Sequence, residues 1–259
     1  MKRRVWPALA VLGAVLAVGG CSSSKPKPPA TAPELNPNDP LAATMLMQQG
    51  QALQGEGRVD DAITKYRAAL TLQPSNPTIH NLLGVAELQR GDAPKALEHL
   101  TRALQLAPSY SDARNNRGAA YLQLDQLAQA ESDFLAVLTD RTYANRPGVF
   151  FNLGLLYLRR GDLAAAEENL RKAAVPPGPG EAFLVLAQVE EKLGKIESAE
   201  TALRAAQSRD PDQPRVLFAL AQFLERQRGG QGAEELYRRI VSIAPDSAEA
   251  AAARDRLRR

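Results

Sequence analysis

From residue 43 onward the chain repeats one pattern of small, large apolar and turn-forming positions. A small residue near the middle of each unit recurs at Ala62, Ala96, Ala130, Ala166, Ala199 and Ala233, in steps of 34, 34, 36, 33 and 34 residues. A second small position recurs at Gly50, Gly84, Gly118, Gly154, Ala187 and Ala221. A large one follows at Tyr66, Leu100, Phe134, Leu170, Leu203 and Tyr237. Gly57, Gly91, Gly161 and Gly194 stand between the two, and Pro74, Pro108, Pro211 and Pro245 close four of the six units. Each mark has a physical reason. Small residues let two helices approach closely, and the large side chain fills the gap beside them. The central Gly accepts a positive φ after a first helix, and the Pro stops a second one. The elements predicted are six helical hairpins. One hairpin cannot bury its apolar face alone, but a stack can. A four-helix bundle would need longer helices and no fixed step.

A 34-residue step carrying these marks resembles the tetratricopeptide repeat (TPR). The resemblance implies an all-α chain. Residues 43–246 are expected to form a right-handed superhelical solenoid of six TPR helix-turn-helix repeats, and residues 247–259 a C-terminal capping helix. Asp246-Ser247-Ala248-Glu249 reads as a capping box opening that last helix. Arg254, Arg256, Arg258 and Arg259 then lie at its C-terminal end, where cations suit the helix dipole; a solvated helix end is the expected role, and contact with an anionic partner the alternative.

The first 42 residues follow another pattern. Residues 1–20 carry a basic start, Lys2-Arg3-Arg4, and an apolar run from Val5 to Gly20, too short for a membrane-spanning helix and built like a signal peptide. Val18-Gly19-Gly20-Cys21 resembles the lipobox of bacterial lipoproteins, which implies acylation of Cys21 and a stable lipid anchor. Ser22, in place of the Asp that favours inner-membrane retention in that class, implies the outer membrane. Residues 21–42 then form a tether: six of the chain's 18 prolines fall between Pro26 and Pro40, a composition that cannot pack as a helix.

Charge and chemistry narrow the picture by exclusion. The formal net charge of +3 rests on the signal segment; without Lys2, Arg3 and Arg4 the chain has 29 basic against 29 acidic residues. A nucleic-acid footprint is therefore not expected. One Cys excludes an intramolecular disulfide and a Cys-rich zinc site, and two His leave little for metal or acid–base chemistry. No G-x-S-x-G, H-E-x-x-H, P-loop or G-x-G-x-x-G run is present. No catalytic residue, metal, cofactor or small-molecule substrate is expected, and the chain reads as a binding protein rather than an enzyme.

A narrower resemblance lies in the third and fourth units. Asn115-Asn116-Arg117-Gly118, then Phe134, then Asp140-Arg141-Thr142-Tyr143-Ala144-Asn145-Arg146, then Phe151-Asn152-Leu153-Gly154-Leu155 is similar to the run found in pilotin-type TPR lipoproteins of type IV pilus systems, called PilF, PilW or Tgl. The 36-residue step falls at this connection, where the expected Pro is missing. Ala187 and Ala221 in place of Gly, and the Arg-rich end, depart from the pattern. The resemblance implies an outer-membrane, periplasm-facing lipoprotein that assists assembly of the pilus secretin and supports pilus-dependent motility. The alternative is an outer-membrane TPR adaptor for peptidoglycan hydrolases or for the β-barrel assembly machinery.

In TPR stacks, positions 5, 9 and 12 of each first helix face the concave groove. Here these are Asn81, Val85 and Leu88 in unit two, Asn115, Ala119 and Leu122 in unit three, and Phe151, Leu155 and Leu158 in unit four. They form an apolar stripe edged by two amides, suited to an extended partner segment. Unit-packing is the competing role for the same residues, and Asn116 and Asn152 are expected to hydrogen-bond between repeats. Met47, Gln51, Asn81, Val85, Asn115 and Ala119 stand where carboxylate-clamping TPRs carry Lys or Arg, so a carboxylate clamp is not expected. His80 is expected to pack between helices and His99 to lie on the surface.

Overall fold

The computed structural model describes residues 41–175 and 178–258. The expected signal segment, Cys21 and the tether as far as residue 40 lie outside them, and Ala42, the last residue expected in the tether, already belongs to the first helix. The described residues form thirteen α-helices and no strand. They are α1 (Ala42–Gly55), α2 (Val59–Leu72), α3 (Pro77–Arg90), α4 (Ala93–Leu106), α5 (Ser111–Gln123), α6 (Leu127–Thr139), α7 (Arg146–Arg160), α8 (Leu163–Ala173), α9 (Glu181–Lys192), α10 (Ile196–Arg209), α11 (Pro214–Arg228), α12 (Ala233–Ile243) and α13 (Ala248–Leu257). α1 packs with α2, α3 with α4, α7 with α8, α9 with α10 and α11 with α12 as hairpins, and in the third hairpin a turn at Asp125 and the Arg117–Asp133 pair link α5 to the first half of α6. The chain divides into two compact units between Asp133 and Phe134, inside α6.

Local signals set the helix ends. Gly91 and Gly161 stop α3 and α7 in the left-handed region, with φ of 87° and 80°, where only glycine carries no steric penalty. The next residue in each turn, Asp92 or Asp162, caps the following helix by accepting from the backbone N–H of Lys95 or Ala165. Two adjacent residues thus end one helix and begin the next. The third hairpin departs from this: Asp125 holds the same turn at φ 59° without the help of a glycine. Pro74, Pro108, Pro211 and Pro245 each lie just beyond a second helix.

In the first unit, Leu46, Ile63, Tyr66, Ile79 and Leu83 form a core shared by α1, α2 and α3. A smaller cluster of Ala96, Leu100 and Ala120 joins α4 to α5. The small positions are close approaches. A Cβ on Gly84 would lie 2.7 Å from Leu100 Cδ2, and one on Gly50 would lie 2.7 Å from Tyr66 Cδ1. In the second unit one core runs from Ala166 in α8 to Ala253 in α13, with Phe151 and Leu158 of α7 packed against it. Gly154 meets Leu170 there as Gly84 meets Leu100, its hypothetical Cβ 2.6 Å from Leu170 Cγ. Ala62, Ala96, Ala130, Ala166 and Ala199 are fully buried, and Ala233 nearly so.

The long connection before α7 replaces the missing Pro by a side-chain cap. Arg146 donates to the carbonyls of Leu138 (2.9 Å) and Asp140 (3.2 Å), groups that the end of α6 leaves without helical partners. Asp140 Oδ1 accepts from the N–H and hydroxyl of Thr142, and Asn145 caps α7 through Gly148 N–H. At the other end, the capping residue of α13 is Ser247, whose Oγ accepts from Ala250 N–H at 3.0 Å. Glu249 stands one position too early to close the expected box, because the cap falls on Ser247 rather than Asp246. Two of the arginines near this end fold back rather than facing only solvent: Arg254 donates to Pro245 O, and Arg256 pairs with Glu225 at 2.7 Å.

Candidate functional site

The candidate groove residues fall into two groups, one in each unit. In the first, Asn81 and Asn115 are buried, each 8% exposed, and Leu122 is buried at 4%. Asn81 Nδ2 donates to Tyr110 Oη (3.3 Å), and its Oδ1 accepts from Asn116 Nδ2 (2.9 Å). Its amide is committed to the contact between successive repeats, the role expected of Asn116. Leu122 belongs to the packing between helices. Val85, Leu88 and Ala119 remain half-buried and present apolar surface. Leu88 also packs against Leu100 and Ala120.

In the second unit Phe151, Leu155 and Leu158 are half-buried along α7. The same positions of α9 carry Leu184, Gln188 and Glu191, and those of α11 carry Phe218, Gln222 and Glu225. The apolar stripe therefore gives way to amides and carboxylates. Both carboxylates are engaged: Arg226 holds Glu191 through two N–H donors (3.0 and 2.9 Å), and Gln227 adds a third (2.9 Å). These bonds keep the Glu191 carboxyl below its ordinary pKa.

A second geometric rule emerges from these contacts. Gln54 donates to Gln89 at 2.6 Å, Asn116 to Asn81, and Arg226 to Glu191, each pair 35 residues apart. Like marks recur every 34 residues, so the side chain facing a given position across the stack is the one after its own equivalent. That offset marks a contact that matching equivalent positions does not reveal.

Among the described residues four acidic side chains are buried: Glu87, Asp133, Glu167 and Glu190. Arg117 holds Asp133 in a fork of 2.7 and 2.8 Å. Arg67 and Arg90 hold Glu87; Arg171 holds Glu190, and Lys195 with Arg171 holds Glu167. Each buried carboxylate therefore has a cation, which is what burial of a charge requires. Glu87 and Glu190 occupy the same position of their first helices, and each meets an Arg of the preceding second helix.

His80 is buried between α3 and α4, as expected. His99 is half-buried rather than a surface residue, because its ring packs on His80 with centroids 5.5 Å apart. Burial lowers the pKa of both rings, and His80 lowers His99 further. Tyr66, sealed beside Gly50 with its hydroxyl donating to Gln54 Oε1 at 2.7 Å, is pushed up to about 12 by burial.

Known proteins match along most of this length. The tetratricopeptide repeat family model matches residues 47–111, 115–182 and 184–248, and a second model of the same description matches 87–139. A TPR repeat-containing protein of Pseudomonas aeruginosa is 30% identical over 137 residues, which is 47% of this chain and 55% of that one. DnaJ homolog subfamily C member 3 of Rattus norvegicus is 31% identical over 99 residues, 38% of this chain. The chain spans 20% of the length of that relative. Among solved structures, PilF of Pseudomonas aeruginosa superposes with a TM-score of 0.65 at 21% identity, covering 83% of this chain and 97% of that one. PilW, a widely conserved type IV pilus biogenesis factor, superposes with a TM-score of 0.69 at 23% identity, covering 80% and 96%. At these identities the two likenesses are likenesses of fold. With three consecutive family matches over most of its length and hairpins that carry the expected close approaches, this chain belongs to the tetratricopeptide repeat family, whose stacked helices serve as scaffolds for contact with other proteins.

Proposed function

We propose that this chain is an outer-membrane lipoprotein, anchored through Cys21 and facing the periplasm, that acts as an assembly factor for the secretin of a type IV pilus. The observation that carries the reading is a coincidence of two features. One is a TPR stack that covers nearly the whole length of PilF and PilW. The other is the lipobox Val18-Gly19-Gly20-Cys21 ahead of a Pro-rich tether. Each unit offers a partner its own half-buried apolar surface on its first helices: Val85, Leu88 and Ala119 in the first unit, and separately Phe151, Leu155 and Leu158 in the second. Apolar burial there at about 25 cal/mol per Å² drives association.

The test is made on outer membranes of a deletion strain. The SDS-resistant secretin multimer is probed on a blot of unheated sample. Its loss, with monomer still present, is expected; a normal multimer overturns the reading. Cys21→Ser is expected to leave a folded protein off the outer membrane and unlabelled by palmitate. Leu88→Glu combined with Leu155→Glu is expected to abolish multimer assembly while the circular dichroism spectrum is kept. Normal assembly in that variant moves the contact away from the groove.

A further inference from the structure

The two histidines of the chain face each other within the second hairpin. His80 on α3 and His99 on α4 place their Nδ1 atoms 3.3 Å apart. His80 Nε2 lies 3.2 Å from the Pro74 carbonyl. A carbonyl can only accept, so Nε2 carries the hydrogen and Nδ1 of His80 presents its lone pair toward His99. A backbone carbonyl orienting the outer nitrogen of an imidazole is the arrangement that holds histidine ligands in metal sites. Two nitrogens bound tetrahedrally to one zinc ion at the usual bond length stand about 3.3–3.4 Å apart.

From this geometry we propose that His80 and His99 form a two-histidine site for a borderline divalent transition metal, Zn2+ being the case tested, that clips α3 to α4. Among the described residues no cluster of three or more His, Cys, Asp or Glu is placed to hold a metal, so water completes the coordination. His99, half-buried, is the open side. On binding, His99 moves its ring proton from Nδ1 to Nε2, and both Nδ1 atoms ligate with no net proton release. Arg102 and Arg67 bear on the pair and weaken it, whereas Glu98 beside His99 favours positive charge. The site is selective for ions that accept imidazole: Cu2+ and Ni2+ are expected to bind, and Mg2+ and Ca2+ are not.

The experiment is calorimetric titration of the full-length, tag-free chain with Zn2+ at pH 7.5, alongside thermal unfolding with and without the metal. One saturable site and a raised melting temperature are expected. His99→Gln, on the exposed side, is expected to remove both, and His80→Gln to do the same. Cobalt(II) in place of zinc is expected to give the visible absorption of tetrahedral coordination, absent in His99→Gln. If His80→Gln fails to fold, His99→Gln alone decides. The absence of saturable binding, or zinc binding unchanged in His99→Gln, overturns the proposal.

Discussion

The two units use one geometry and two chemistries. In the first, side chains 35 residues apart are joined by neutral amides, Gln54 with Gln89 and Asn81 with Asn116, and the hydroxyl of Tyr110 also accepts from Asn81. In the second, Glu191 and Arg226 occupy the corresponding places, and Glu225 reaches Arg256 of α13. Burial separates the Asn81 contact from the Glu191 contact. Asn81 is nearly sealed, and an amide can be desolvated and still donate and accept with its neighbours. The Arg226 side chain is half-exposed, so the charged pair keeps its hydration and gains little from being made. The comparison shows that the repeat specifies where neighbouring repeats touch and leaves the chemistry open: Gln54, Gln89 and Glu191 are alike half-buried, and Glu87 and Glu190 are ion-paired although buried.

The largest expected effect tests what the units have in common. Gly84→Leu and Gly154→Leu drive a side chain into Leu100 and Leu170, and each is expected to cost about 3 kcal/mol or more by urea denaturation. A loss in only one variant would show that the two hairpins are not equivalent. Next is Asn81→Ala, which strips the partner from Asn116 and Tyr110 in a buried place. About 1–3 kcal/mol is expected, unchanged between 0.1 and 1 M salt. Glu191→Gln is expected to cost about 0.2–1 kcal/mol at low salt and nothing measurable at 1 M. If the two variants answer alike to salt, the amide and ion-pair contrast fails.

The smallest effect is a pH dependence confined to the first unit, which holds both histidines. Their pKa values are lowered by folding, so the unfolded chain binds more protons than the folded one as pH falls below about 6.5. The stability from burying neutral rings is complete above that value and is lost as pH falls through it. Hydrogen exchange of α3 and α4 is expected to quicken between pH 6.5 and 5 while α9 to α12 respond less. His99→Gln is expected to reduce the difference.

Much of the fold was legible because repeats restate their own rules. The Gly84–Leu100 and Gly154–Leu170 approaches follow from the recurring small and large positions, and Gly91 and Gly161 end their helices as a positive φ demands. Asp125 was not legible as the turn residue of the third hairpin, because an aspartate at positive φ leaves no mark distinguishing it from a solvated side chain. Nor was the Arg146 cap visible: the missing Pro announced an exception but not the group that would answer the open carbonyls. In the groove, residue type alone could not separate Leu122, which is packed, from Leu88, which still shows surface.

By itself the sequence determined the hairpins, their number and their register, because each mark acts on its own backbone or on a helix a fixed distance away. Asn116 and His80 fill the roles their positions predict, whereas only the tertiary structure decided those of Asn81 and His99. Asn81 reaches Asn116 through the offset between stacked helices, and His99 meets His80 through the closeness of α3 and α4. Hydrogen bonds and desolvation depend on distances of a few tenths of an ångström, and these arise only once the helices have packed.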